Sequence, residues 1–451
     1  MMTKWAVPFQ VSSDYGIHSI MPENNTTSST TAYRIKQLLR HSGVYGFFDF
    51  LSKATSLILI PLYTHHLTVA DYGKLEILTQ TGSFFIILLV LGMNSALVRY
   101  YIHFQEEEQR KSLVSTCLWF TFFVSTVFTL LLFACSGLFS QILFSGPEET
   151  IYFKYVFIAV CFDAISAIFL AVLRAREKSF TYSSLLFVKF VSILLLNIYL
   201  VGVAQKGITG ILVSSLVGAA VLLAGNVFLL GRELSLRFSK NKLQNLLSFG
   251  LPLVPGAFGL IVLSISDRYF LKYFADSHEV GLYALGYKIS MIMGILVRAF
   301  QVAWPPVLFS IEKDHDAQST YSRVLTYLLF VSFGLFVILG TFSKELVRLL
   351  STAEYFDAYK VVPIVLMAYM FYGVYYAVSV GINLKNKTKY IPPIVGGAAI
   401  INLMLNYLMI PAYGMMGAAV ATVLSYALMA MGTYYVSNRL YPIRYEYARI
   451  A

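Results

Sequence analysis

Apolar runs of about 20 residues recur along nearly the whole chain, separated by short polar breaks. A run of this length suits a helix that crosses a bilayer. The pattern predicts about twelve spans, near 43–65, 75–98, 112–135, 151–173, 181–203, 208–230, 244–272, 282–304, 321–342, 361–382, 391–410 and 414–437. The longest breaks, "GRELSLRFSKNK" and "PPVLFSIEKDHDAQST", leave no room for a large extramembrane domain. Residues 1–42 follow a different pattern. They are rich in Ser, Thr and Asn, lack the apolar core of a signal peptide, and end in a short basic stretch, "YRIKQLLRH". They are expected to form a polar cytoplasmic tail. The fold class this predicts is an all-α polytopic membrane protein.

Composition sharpens that picture. The chain of 451 residues is 58% hydrophobic and only 13% charged, where soluble domains carry about 25% charge. That much apolar surface needs lipid as part of its solvent. The net charge of +11 matters through its placement. Alternate loops carry 22 and 7 of the 34 Lys and Arg residues, and five fall inside predicted spans. The positive-inside rule then puts both termini in the cytoplasm, which agrees with an even number of spans. Cys117, Cys135 and Cys161 lie in apolar runs without metal-ligand spacing, so they are expected to be packing thiols.

The two halves repeat weakly. "HLTVADYGKLEIL" (66–78) aligns with "FADSHEVGLYALG" (274–286) at an offset of 208, which sets Asp71 on Glu279 and Gly73 on Gly281. Further on, Asn197 matches Asn406, and Gly207 and Gly210 match Gly414 and Gly417. This predicts two six-helix bundles, 43–232 and 233–451, related by a pseudo-two-fold axis along the membrane normal. Transporters place their sites between such halves.

Three stretches carry a family resemblance: "SKATSLILIPLYTHHLTVADYGKLEIL", "SDRYFLKYFADSHEVGLYALGYKI" and "NLMLNYLMIPAYGMMGAAVATVLSY". They resemble the first-helix, seventh-helix and eleventh-to-twelfth-helix signatures of polysaccharide-biosynthesis membrane proteins. These are the O-antigen (Wzx-type) flippases of the multidrug/oligosaccharidyl-lipid/polysaccharide exporter superfamily. The resemblance covers roughly residues 43–437. It implies an inner-membrane flippase, with no enzymatic activity, that moves undecaprenyl-pyrophosphate-linked oligosaccharide for lipopolysaccharide or related surface polysaccharide. The partners it implies are the lipid-linked oligosaccharide, the bilayer, a polysaccharide polymerase and a chain-length regulator; nucleic acid is not among them.

Charges inside the spans are the candidate site. Each costs at least about 2.5–3.5 kcal/mol at the bilayer centre, so such residues pair or face a cavity. Lys53, Arg268, Lys288 and Arg298 are the candidate substrate-binding cations, suited to the anionic pyrophosphate. Asp49, Asp163 and Asp267 are the candidate coupling or charge-pair acids. Asp49 and Lys53, four apart, share a helix face. Asp163 has no base at helical spacing, so its partner comes from another helix or it is a lone acid able to take up a proton. Asp267 and Arg268 either hold the loop at Asp276–Glu279 or serve the substrate. Arg298 either serves it too or meets lipid phosphate, and Lys189 either snorkels or takes part. Pro252 and Pro255 give the seventh span a point of bending.

Other functions fit less well. A multidrug cation antiporter of the same superfamily would need an acidic, aromatic site rather than five intramembrane bases. A membrane glycan polymerase or ligase would need a sizeable periplasmic loop. No phosphate-binding loop for ATP is present, so no cofactor is expected beyond a coupling H+ or Na+.

Topology is directly testable. Reporter fusions at Leu440 and Gly146 are expected to report cytoplasm and periplasm respectively; a periplasmic signal at Leu440 overturns the arrangement.

Overall fold

The computed structural model describes residues 57–231, 235 and 237–446, and every regular element among them is a helix. The first half contains α1 (Ile60–His66), α2 (Val69–Val90), α3 (Met93–His103), α4 (Glu107–Ala134), α5 (Ser136–Phe144), α6 (Thr150–Ala175), α7 (Ser179–Asn197) and α8 (Gly207–Leu230). The second contains α9 (Lys240–Gly250), α10 (Val254–Phe274), α11 (Ser277–Ser310), α12 (Ala317–Thr341), α13 (Ser343–Leu350), α14 (Val362–Val378), α15 (Val380–Leu384) and α16 (Ile391–Leu440).

Ten helical stretches among the described residues are long and apolar enough to cross a membrane. The last of them holds α16, whose 50 residues would run about 75 Å as one rod. The hydrocarbon core is about 30 Å thick, so α16 must cross twice. Gly414, at φ +53°, divides it there. This is the all-α polytopic architecture the apolar runs predict. Most of the first predicted span, together with Asp49, Lys53 and the tail, lies outside the described residues.

The sequence repeat is visible as matched local structure. Thr68 caps α2 by accepting from the Asp71 amide, and Asp276, at the same offset of 208, caps α11 by accepting from the Glu279 amide. Gly207 and Gly414 both take left-handed φ, +50° and +53°, a conformation that glycine adopts without steric cost. The break at Gly414 exposes the Met415 amide, which donates to Glu279 at 3.0 Å.

Gly73 and Gly281 form the contact between the halves. A Cβ on Gly73 would lie 1.8 Å from the Ser277 carbonyl oxygen, and one on Gly281 would lie 2.1 Å from the Val69 carbonyl oxygen. Since Val69 and Ser277 are also 208 apart, the contact is nearly self-complementary, as a two-fold axis requires. Neighbouring bonds close the same end. Tyr355 donates to the carbonyls of Leu67 and Thr68, both at 3.0 Å, and Thr64 donates to Leu350 at 3.3 Å. Burial raises the Tyr355 pKa, so its hydroxyl stays a donor. The charge asymmetry predicts this closed end to be periplasmic.

The seventh span is shared between the halves. Its first part, α9, rests on the first half: Lys242 donates to the Gln109 carbonyl at 2.8 Å, and the backbones of Gly92 and Gly250 touch. A 3-10 turn at Leu251–Leu253, holding Pro252, follows. Beyond it α10 joins the second half, where Ser266 donates to Asn402 at 2.9 Å. The proline segment thus stands where the chain passes from one lobe to the other.

The glycine contact predicts a measurable effect. In a background with the native cysteines replaced by serine, Ser277→Cys is buried at the contact and should react slowly with a membrane-impermeant maleimide. Adding Gly73→Ala forces the backbones apart and should speed labelling several-fold. Unchanged rates would show that the contact does not hold this end shut.

Candidate functional site

A cluster of charge lies just inside the closed end. Glu76 sits two turns into α2, and Arg268 sits less than two turns from the end of α10. The Arg268 Nε donates to Glu76 Oε1 at 3.2 Å, across the lobe interface. Its NH1 donates to Asp267 Oδ1 and to the Ser264 carbonyl, both at 2.7 Å. Lys288, from α11, reaches Glu76 Oε2 at 3.4 Å and donates to the Tyr72 hydroxyl at 3.0 Å. Gln80 adds a bond to Glu76 at 2.8 Å. Tyr283 donates to the other oxygen of Asp267.

Aromatic rings enclose the cluster. The Arg268 guanidinium lies 4.2 Å from the centre of the Tyr287 ring and 5.2 Å from that of Tyr283. Lys288 lies 4.6 Å from the Tyr72 ring centre. These are distances at which a ring face attracts a cation. The side chains of Arg268 and Glu76 are 3% and 4% exposed, whereas Lys288 is 23% exposed. Lys288 is therefore the most accessible cation of the cluster.

The local reasons are plain. Asp267 and Arg268 are adjacent, so the carboxylate takes the Arg268 amide as well as its guanidinium, the former at 2.9 Å. Burying such a pair is costly unless its remaining bonds are filled. Here Ser264, Glu76 and Tyr283 fill them.

The sequence-predicted residues that are described separate into three places. Asp267, Arg268 and Lys288 belong to this cluster. Arg298 lies farther along α11 and donates to Gln301 at 2.9 Å. Asp163 lies in the first lobe, where Lys189 of α7 donates to it at 2.6 Å. The pair lines a cavity of about 300 Å³, with Thr79, Ser83 and Ser215 on its walls. Of the two alternatives for Asp163, the structure has the partner from another helix: α6 and α7 pack antiparallel and bring Lys189 to its depth, so the premise of a lone proton-binding acid falls away. Asp267 and Arg268 do not hold the Asp276–Glu279 loop, which Asp276 caps by itself. Asp49 and Lys53 lie outside the described residues. Glu76 was absent from the sequence-derived set, although it is the acid that joins the lobes.

The family model for "Polysaccharide biosynthesis protein" matches residues 65–360, well over half of the chain. The chain belongs to this family. It is 23% identical over 427 residues to an uncharacterized membrane protein of Methanocaldococcus jannaschii, covering 87% of this chain and 82% of that one. A protein of the Lsg locus of Haemophilus influenzae is 24% identical over 288 residues, covering 62% of this chain and 67% of its own length. Among solved structures, the fold is similar to an inward-facing multidrug resistance MATE transporter of the MOP superfamily. The TM-score is 0.74 at 11% identity, covering 86% of this chain and 94% of the other. It is also similar to the lipid II flippase MurJ in an inward closed conformation. There the TM-score is 0.72 at 15% identity, covering 90% and 88%. This polysaccharide biosynthesis protein thus shares its fold with that MATE transporter and with MurJ.

Proposed function

We propose that the protein moves an undecaprenyl-pyrophosphate-linked oligosaccharide across the bacterial inner membrane by alternating access, for O-antigen or a related surface polysaccharide. The observation that carries this reading is the placement of Arg268 and Lys288. Both are second-lobe cations, both lie within candidate spans, and both are held by one first-lobe carboxylate, Glu76. A pyrophosphate offers the same bonding chemistry as that carboxylate, with more charge. Bound between the lobes, it takes Lys288 and Arg268 away from Glu76 and so weakens the closed end. A ligand shifts a two-state equilibrium only by binding one state better than the other, and this exchange supplies the difference.

The acids favour the flippase over a cation extruder. Glu76, Asp163 and Asp267 each already hold a base, so none of the three offers an uncommitted carboxylate to an organic cation. Both termini are placed in the cytoplasm in this reading, and the flipped product passes to a polymerase and its chain-length regulator. The coupling ion, H+ or Na+, is not assigned to a residue.

The reading is tested with purified protein in vesicles loaded with lipid-linked oligosaccharide on one leaflet. Lys288→Gln keeps a hydrogen-bonding group and removes the charge. It should lower the translocation rate about tenfold or more, since a charge-assisted bond contributes about 1.5–3 kcal/mol. Thermal melting is expected to fall only modestly, because Arg268 still pairs with Glu76. Normal translocation by Lys288→Gln, or expulsion of organic cations by the wild type with no glycan-lipid transport, overturns the reading.

A further inference from the structure

A line of tyrosines runs through the second lobe from the charge cluster toward the opposite end. Tyr287 lies under the Arg268 guanidinium, and its ring meets Tyr369 of α14 at 5.7 Å between centres. One turn on, Tyr372 packs against Tyr426 of α16 at 5.2 Å. The Tyr372 and Tyr376 hydroxyls are 2.9 Å apart. Gln301 then donates to the Tyr376 hydroxyl at 2.7 Å and accepts from Arg298 at 2.9 Å. Apart from the one-turn step from Tyr369 to Tyr372 along α14, ring contacts and polar bonds thus join Arg268 to Arg298.

Helical spacing explains the line. Tyr287, Gly294 and Gln301 recur every seven residues on one face of α11. Tyr369, Tyr372 and Tyr376 share one face of α14. Gly294 makes room, since a Cβ there would lie 2.7 Å from the Tyr369 ring. At 1.5 Å per residue, Tyr287 and Gln301 are about 20 Å apart along α11.

The exposure of these rings points inward. Met367 is 39% exposed and marks the lipid side of α14. At 100° per residue, the Tyr369–Tyr372–Tyr376 face lies on the opposite side of the helix. Tyr369, Tyr372 and Tyr376 are nevertheless only partly buried. Their exposed parts therefore lie away from the side on which Met367 is exposed.

We propose that Tyr287, Tyr369, Tyr372, Tyr376 and Tyr426 form a subsite for the sugar rings of the lipid-linked oligosaccharide, leading from Arg298 to the pyrophosphate-binding cations. This rests on the function proposed above. A sugar ring presents C–H groups on its faces and hydroxyls around its edge. An aromatic wall with a few fixed polar groups complements both. Each tyrosine hydroxyl donates and accepts, so the wall tolerates different sugar hydroxyl patterns. The chemistry selects the glycan class rather than one sugar. With the pyrophosphate at Arg268 and Lys288, the glycan extends along the tyrosines toward Arg298.

The test compares two ligands on the full-length protein in nanodiscs: bare undecaprenyl pyrophosphate, and the lipid-linked oligosaccharide pool extracted from the source cells. The wild type should bind the glycosylated lipid more tightly. Tyr372→Leu should remove about tenfold of that preference, the equivalent of about 1.4 kcal/mol, and leave binding of the bare lipid unchanged. Tyr369→Phe and Tyr376→Phe, which keep the ring and lose one hydroxyl, should each remove part of the preference. They carry the test if Tyr372→Leu does not assemble. Equal weakening of both lipids, or weakening of neither, overturns the subsite while the function stands. Failure of the wild type to bind either lipid overturns the function and the subsite together.

Discussion

The contact between Glu76 and the pair Arg268–Lys288 is the constraint on which the rest of the structure depends. Charges in a bilayer must be paired, and here the pairing runs between lobes. One carboxylate on α2 faces two cations on α10 and α11. Desolvation offsets much of the attraction in such a pair, but either charge left inside the bilayer without its partner would be costly, so the cluster favours the state in which the lobes meet. The same arrangement makes the hold conditional. Any anion that reaches Lys288 competes with Glu76 for the charges that keep the lobes together.

The surrounding architecture lets that competition produce movement. Gly73 and Gly281 bring two backbones into contact with no side chain between them, and around them Val69, Tyr72, Val280 and Tyr283 belong to one buried apolar cluster that spans both lobes. The seventh span stays attached to both lobes, through α9 on one side and α10 on the other. The 3-10 turn at Leu251–Leu253 separates the two parts. Under the proposed function, this turn is the hinge and the Glu76 cluster the latch of a rocking motion between the lobes.

Much of this was legible in the sequence. The apolar runs located the spans, and the offset of 208 marked both the paired glycines and the paired caps. What escaped did so for physical reasons. Glu76 was not singled out because it falls at the very start of the predicted span 75–98, whereas α2 begins at Val69 and places it two turns in. The stretch "VADYGKLEILTQ" is polar because it faces the other lobe rather than lipid, so an apolar criterion trims it. The Asp163–Lys189 pair has no helical spacing along the chain. The two residues stand at equal distances from the turn near Arg176, which an antiparallel hairpin converts into equal depth. The tyrosine line escaped because ring contacts between α11, α14 and α16 depend on which helices are neighbours.

The most direct test follows the distance between the lobes at the closed end. Spin labels at Lys206→Cys and Tyr413→Cys, both exposed and one in each lobe, report it by pulsed electron resonance in nanodiscs. The native cysteines are replaced by serine beforehand. Undecaprenyl pyrophosphate should shift the wild-type distribution to longer distances. Glu76→Gln should show the longer distances without ligand and respond little when it is added. A Glu76→Gln distribution identical to wild type, with the same response to the lipid, would contradict the claim that this carboxylate holds the lobes together until an anion replaces it.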